Sequence, residues 1–404
     1  MKGRPDMSKL TMALKKQGLH ALLMSRSNPD AISKHVKWLL RHDARLQHRV
    51  SPWSDPEAAA SRRQKLRVAA VQMRACAVGS GKAYAELVYR LAARAAWEGA
   101  SVVVFPEYSG LPLLGLVPGA SKVASSAPSL EDASAMARGI GARGAPSDLF
   151  ALLAPYAQRA YVSTFASVAR ELGVYMISGS MILSYEAGGV TGLQNMGWCF
   201  GPDGSRVARY VKCHLMPMEA QWDLKPGTSL AAFSLGGVGA AAPICMDATY
   251  FETFRVARAA GADIVAVPVA NPEPYNMWYA LRGIWPRVQE SQVFGISSCL
   301  VGKFAGIEFT GRSAVVCPLE MSPGGDGILA QASSHDDEEI VVADIDLDAL
   351  HEYRASNPLR FNPKLYSNYP VGLYDRARSA RREERQRHAS HGTGEDRGGG
   401  VRTP

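Results

Sequence analysis

Short apolar runs recur through the middle of the chain, each bounded by glycine, proline or acidic residues, and they alternate with stretches of helical spacing. Arg67–Met73 is apolar almost throughout, the pattern of a strand buried on both faces. Tyr84–Glu98 places Leu87, Leu91 and Ala95 at helical spacing, and Gly99 supplies the stop, because glycine accepts the left-handed backbone of a helix end. Ser101–Phe105 is a second buried strand that runs into Pro106-Glu107. Asp148–Leu172 reads as a helix with Asp148 as N-cap and Gly173 as stop, and Val174–Leu183 returns to strand. Met196–Phe200 and Arg206–Val211 flank Gly201-Pro202-Asp203-Gly204, a hairpin signal. Phe233–Ile244 is a strand, Phe251–Ala260 a helix and Asp263–Val269 a strand. Met277–Gln289 sets Trp278, Leu281, Trp285 and Val288 on one helical face, with Pro286 as a kink. Val293–Val301, Ser313–Cys317 and Ile340–Ile345 are the remaining strands.

This alternation predicts one α/β body of roughly 300 residues, in place of the two or three domains that length alone suggests. It occupies residues 67–374. Residues 1–66 form a basic extension, partly helical or mobile, in which Ala31–Leu46 can present Ile32, Val36, Leu39 and Leu40 on one face. Residues 375–404 are Arg/Glu-rich and then Gly-rich, the composition of a disordered tail. Ser109–Ser147 is rich in Gly, Pro, Ser and Ala and reads as an insertion or long loop.

The net charge of +8 changes meaning once divided along the chain. Residues 1–66 carry 14 basic against 5 acidic side chains and residues 375–404 carry 8 against 5, so the body is net −4. The basic balance belongs to the ends, and no nucleic-acid partner is expected for the body. No apolar run approaches the ~20 residues of a membrane span. The six cysteines contain no C-x-x-C pair, which argues against a disulfide framework or zinc ribbon and for reduced thiols in the cytoplasm. The first 66 residues lack a secretory apolar core, although their basic, acid-poor composition also suits a transit peptide.

Three strands end on an ionisable side chain, at the rim where α/β folds carry reactive groups. They lead to Glu107, to Lys212-Cys213-His214 and to Cys245-Met246-Asp247. A thiol is the nucleophile of such a set, but at its ordinary pKa of about 8.5 little of it is thiolate near neutral pH. Glu107 can take the thiol proton and return it to a leaving amine. Lys212 and the backbone N–H of Met246 can stabilise the oxygen that turns negative as a carbonyl becomes tetrahedral. Spacing alone does not bring the three together. Taken singly, Cys245 is a small buried strand residue, Glu107 a strand-end carboxylate and Lys212 an exposed charge.

In this order the segments resemble the nitrilase superfamily, the carbon–nitrogen hydrolases with a Glu-Lys-Cys triad. Val68–Met73 matches the family's first strand, Phe105-Pro106-Glu107 its glutamate motif and Lys212-Cys213-His214-Leu215 its lysine motif. Cys245-Met246-Asp247 with Phe251–Arg255 matches the nucleophile elbow and its helix. Gly261-Ala262-Asp263-Ile264, Asp344–Leu347 and Pro363-Lys364-Leu365-Tyr366 continue the likeness. The resemblance implies a four-layer α-β-β-α sandwich, a homodimer or larger homo-oligomer, and no cofactor. It also implies Glu107 as base, Lys212 as oxyanion stabiliser and Cys245 as nucleophile. Glu219 matches a second family glutamate that would orient Lys212 or position the substrate amide. The long 109–147 segment and Phe251, where proline is common, depart from the pattern.

Nitrilases usually follow their cysteine with Trp-Glu, whereas amidase-like and carbamoylase-like branches tend to have Asp two residues on, so Asp247 favours a small carboxamide substrate. A nitrile, an N-carbamoyl compound or acyl transfer to an amine would use the same triad, and a catalytically silent scaffold would keep only the fold. Gly119-Ala120-Ser121-Lys122 and Ser125-Ser126 lack the extended setting of a serine amidase. Cys76–Ala83 lacks the first glycine and the hydroxyl of a phosphate loop, and the nine histidines form no His-Glu-x-x-His pair, so no metal is expected.

Overall fold

The computed structural model describes residues 7–46, 49–54, 65–120, 132, 145–187, 190–358 and 364. They belong to two compact units, residues 1–351 and 352–404; of the second, residues 352–358 and 364 are described. The strands of the first unit are β1 (Lys65–Arg74), β2 (Val102–Val104), β3 (Tyr175–Ile177), β4 (Met181–Ala187), β5 (Val190–Phe200), β6 (Arg206–Val211) and β7 (Ala232–Leu235). They continue as β8 (Val238–Ala241), β9 (Ile264–Val269), β10 (Phe294–Phe304), β11 (Ile307–Phe309), β12 (Ala314–Val316), β13 (Ile328–Gln331) and β14 (Glu339–Asp346). The helices are α1 (Met7–Arg26), α2 (Pro29–His42), α3 (Gly81–Trp97), α4 (Pro146–Leu172), α5 (Pro217–Gln221), α6 (Phe251–Ala259), α7 (Met277–Ser291) and α8 (Leu347–Ser356).

Strand alternation explains the layers, because successive side chains of a strand face opposite sides. In β1, Val68 and Ala70 join a central core, while Ala69 and Val71 pack outward against α3 and α4. In β9, Ile264 and Ala266 enter the same central core, and Val265 and Val267 pack outward with Phe254 of α6 and Val288 of α7. The result is a mixed α/β sandwich: a helical layer, two sheets meeting face to face, and a second helical layer. One half runs β4-β5-β3-β2-β1, with β14 antiparallel beside β1; the other runs β10-β9-β8-β7. A short parallel pairing, Met73 with Leu300 and Arg74 with Val301, joins the halves.

The described part of the N-terminal stretch is helical and docked. Leu23, Ile32 and Val36 are buried in the outer core shared with α3 and α4. Asn28 caps α2 by accepting from the Ala31 N–H at 3.0 Å, which is the capping role of a short polar side chain. Among the described residues, no helix is long and apolar enough to cross a membrane.

Several sequence expectations change in detail. Residues 111–116, expected to be part of a loop, form a 3-10 turn in which Pro112–Leu116 are buried; the apolar string overrides the Gly/Pro composition around it. Residues 121–131 and 133–144 of that segment, the serine strings in it, the 375–404 tail and most of Pro363–Tyr366 lie outside the described residues. Asp148 is not the N-cap, because Pro146 starts α4 earlier; its carboxylate instead accepts from the Ala145 N–H at 3.4 Å. Phe233–Ile244 is a hairpin turning at Gly236-Gly237, not one strand. Val174–Leu183 is two strands, broken at Gly179, where φ is +73° and a Cβ would overlap the Pro106 carbonyl oxygen. In α7 the buried residues are Ile284, Val288 and Ser291, and Trp278 is 71% exposed. The helix packs through its second half, where Val288 is buried and Trp285 packs partly against the core, so that Trp278 in the first half points outward.

Candidate active site

Glu107, Lys212 and Cys245 come together at the end of the sheet where β2, β6 and β8 finish. Glu107 lies past β2 in a turn closed by the Ser109 N–H donating to the Pro106 carbonyl at 3.1 Å. The break at Gly179 makes room for that turn. Lys212 directly follows β6, its N–H donating to the Asn195 carbonyl at 2.9 Å. Cys245 opens the 3-10 turn Cys245–Thr249 with φ at +46°. A non-glycine residue there carries backbone strain, and the strain serves to lift the sulfur out of the strand direction.

The three residues share one buried network. Lys212 Nζ lies 2.7 Å from Glu107 Oε1 and 2.7 Å from Glu219 Oε2. Asn195 Nδ2 donates to both carboxylates, at 2.8 Å each. The Ala270 N–H donates to Glu107 Oε2 at 3.0 Å. Tyr108 OH donates to Glu219 Oε1 at 2.6 Å, and the Met216 N–H donates to Glu219 Oε2 at 2.9 Å. Glu107, Lys212 and Glu219 are each at most 1% exposed. An ammonium between two carboxylates is a workable buried arrangement only because every oxygen also receives hydrogen bonds.

Burial pushes the Glu107 carboxyl up; Lys212 pulls it back, Glu219 adds to the rise, and the balance stays above the ordinary value. Burial also pushes the Cys245 thiol well up, helped by Glu107 and opposed by Lys212 and the Ala270 N–H. Burial works against the Lys212 ammonium, yet Glu107, Cys245 and Glu219 outweigh it and hold it above the usual lysine range. The resting site is therefore a neutral thiol beside a carboxyl of raised basicity and a permanent cation. Such a set can pass one proton between sulfur and carboxylate while the ammonium stays charged.

Three further residues were not picked out as site residues from the sequence. Asn195 and Tyr108 bind the carboxylates, as above. Asp247, 1% exposed, ties the cysteine turn to the lysine loop. It accepts from the Ile244 N–H at 3.0 Å, the Cys213 N–H at 3.0 Å and the His214 N–H at 2.7 Å. His214 Nδ1 lies 2.8 Å from the same carboxylate, and its ring stacks on Tyr250. Asp247→Ala leaves these backbone donors without their acceptor and is expected to lower stability by about 2–5 kcal/mol, since each unsatisfied buried donor costs about 1–3 kcal/mol. Asp247→Asn should recover part of that loss; urea midpoints of the two variants provide the measurement. A midpoint for Asp247→Ala equal to wild type would show that the two loops are held by something else.

Cys245 and Met246 open onto a cleft walled by Asn271, Tyr275, Thr310 and Arg312. Pro272 also lines it, beside Asn271.

The sequence model of the carbon-nitrogen hydrolases matches residues 67–355, well over half of the chain. The chain belongs to that family, within the nitrilase superfamily. A nitrilase of Pyrococcus abyssi is 31% identical over 47% of this chain and 66% of its own length. The omega-amidase NIT2 of Homo sapiens is 30% identical over 52% of this chain and 74% of its own. The matched stretch thus spans just under two thirds of the Pyrococcus protein. In fold, the crystal structure of an amidase from Nesterenkonia sp. superposes with a TM-score of 0.51 at 23% identity, covering 72% of this chain and 94% of that one.

Proposed function

We propose that this hydrolase cleaves a small carboxamide through a thioester on Cys245, releasing ammonia or an amine. The observation that carries this reading is the contact of Lys212 Nζ with Glu107 at 2.7 Å, in a buried cluster that also includes the Cys245 thiol. Cys245 attacks the amide carbon and its proton passes to Glu107. The carbonyl oxygen becomes negative beside Lys212 Nζ and the Met246 N–H, donors fixed before the reaction begins. Glu107 then protonates the departing nitrogen. Water attacks the thioester, gives its proton to Glu107 and frees the acid, and the thiol recovers the proton. Glu219, held by Tyr108, Asn195 and Met216, keeps Lys212 in place.

The relatives named nitrilase and omega-amidase leave the bond open. Asp247 favours the amide, because the cysteine turn is built around its carboxylate. Product analysis with butyramide, butyronitrile and an N-carbamoyl amine of matched size tests the reading. Ammonia and butyrate should appear from the amide at least about tenfold faster than product from either competitor, and mass spectrometry of quenched enzyme should find a butyryl group on Cys245. Faster turnover of the nitrile or carbamoyl compound would overturn the substrate class. Turnover with no acyl adduct under single-turnover conditions would overturn the thioester.

A further inference from the structure

A groove between the docked N-terminal stretch and α4 carries a charge that amide chemistry at Cys245 does not use. Its walls come from the start of α2, one face of α4 and the start of β6, and they leave about 640 Å³ of space. Three guanidinium groups line it, on Arg159, Arg170 and Arg206, against one carboxylate, that of Asp30. Arg159 Nη1 donates to Met24 Sδ at 3.4 Å, and a thioether is a weak acceptor. Arg170 Nη2 donates to Ser33 Oγ at 3.2 Å, and its Nε lies 3.4 Å from its chain neighbour Glu171. Arg206 pairs with no carboxylate among the described residues.

The backbones that carry these groups are fixed against one another. Helical spacing puts Arg159, Ser163, Ser167 and Arg170 on one face of α4. Ser163 Oγ donates to the Pro29 carbonyl at 3.0 Å, which holds the start of α2 along that face. Gly204, in the turn between β5 and β6, has φ at +82°. A Cβ there would lie 2.5 Å from the Ala166 carbonyl oxygen and 3.2 Å from Arg170 Cβ, so the turn rests directly on α4. Arg206, two residues on, therefore sits at the Arg170 end of the groove. Ser167, one helical turn before Arg170, lines the same groove. It is 3% exposed, and its hydroxyl has no hydrogen-bond partner among the described residues. Two guanidiniums held at one end of a groove repel each other, and a dianion between them removes the repulsion and can take paired hydrogen bonds from each.

We propose that this groove binds a small phosphomonoester bearing hydroxyl groups, its phosphate held by Arg170 and Arg206 together with the Ser33 and Ser167 hydroxyls. Asp30 and Gln158, in the same groove, offer an acceptor and a mixed donor–acceptor to the hydroxyls of the organic part. Asp30 and Ser33 precede the hydrolase body, so the site is separate from the cleft at Cys245. A ligand there joins the N-terminal stretch to α4 and β6, and its binding free energy adds to the stability of that docked arrangement.

Calorimetry on the full-length protein with glycerol 3-phosphate, inorganic phosphate and glycerol tests the site, in about 0.15 M chloride so that diffuse attraction to the basic surface is screened. Glycerol 3-phosphate should bind about tenfold more tightly than inorganic phosphate, and glycerol should give no heat beyond dilution. Arg170→Gln combined with Arg206→Gln should weaken the ester at least about tenfold, the scale of one charge-assisted hydrogen bond, and lysine at both positions should recover part of the loss. Both side chains are exposed, so the urea midpoint without ligand should stay near wild type. No binding of the ester, or an affinity unchanged by the double substitution, overturns the site. Inorganic phosphate bound as tightly as the ester overturns the ester and assigns the groove to the free anion. Should the double variant fail to fold, phenylglyoxal modification of the unsubstituted protein, mapped by mass spectrometry, reads the same contact. Glycerol 3-phosphate should shield Arg170 and Arg206 and leave Arg74 unchanged, and equal modification with and without the ester overturns the proposal.

Discussion

Replacing Cys245 with alanine is expected to lower amide hydrolysis by at least about 10,000-fold, because the covalent route disappears and only the oxyanion donors and bound geometry remain. Alanine is no worse than cysteine at φ +46°, so the unfolding midpoint should move little. Loss of rate with the fold intact is the combination that assigns a nucleophile. Ammonia release and urea titration of the same preparation measure both halves. A Cys245→Ala protein that hydrolyses its amide at the wild-type rate would remove the sulfur from the mechanism. Cys245→Ser should also be severely impaired, since Glu107 would have to deprotonate a hydroxyl, a much weaker acid than a thiol.

Lys212→Met should remove activity and, unlike the cysteine change, destabilise the protein by about 3–5 kcal/mol, the usual consequence of breaking a buried ion pair. Methionine fills similar space, so the loss is electrostatic: Glu107 and Glu219 are left facing each other without a cation. Two consequences separate this from a packing defect. Adding Glu107→Gln and Glu219→Gln to Lys212→Met should return much of the stability and none of the activity. Stability of the single variant should also rise as pH falls, because protonation neutralises carboxylates whose pKa values the missing ammonium no longer lowers. In the wild type the lysine's own dependence has the same sign but falls at alkaline pH. Lys212 is held above the usual lysine range, so its contribution is complete below the unfolded value of about 10.4 and is lost only as pH rises through the higher folded value. Urea midpoints across pH measure both trends; a Lys212→Met protein as stable as wild type at neutral pH would contradict the arrangement.

The parts of this enzyme that could be read along the chain are those whose physical cause is local. The strand at Arg67–Met73 and the helix after Tyr84 follow from periodicity, and both appear with small changes at their ends. Glu107, Lys212 and Cys245 were visible as polar interruptions directly after apolar runs, and they come together. Glu219 was found through the family motif alone, and its contact with Lys212 is a long-range fact. Tyr108 and Asn195 stayed hidden for the same reason, and Asp247 was read as a marker of the substrate, not as the tie between two loops. An asparagine inside β5 reads as a weak strand residue until two carboxylates from distant segments arrive at its side-chain nitrogen. Errors of the opposite kind came from composition. Small residues around Leu111–Leu116 hid a buried turn, and Gly236-Gly237 was passed over inside an apolar run. In α7, periodicity defined a face but could not say which half of the helix meets the sheet.

The left-handed backbone at Cys245 limits which chemistries single substitutions can reach from this enzyme. Side chains branched at Cβ are strongly disfavoured at such a φ. A threonine hydroxyl, used as a nucleophile by other hydrolases, would meet a steric barrier at this position before its reactivity mattered, whereas serine would not. Laboratory evolution toward an oxygen nucleophile should therefore pass through serine, or first rebuild the turn that Asp247 holds.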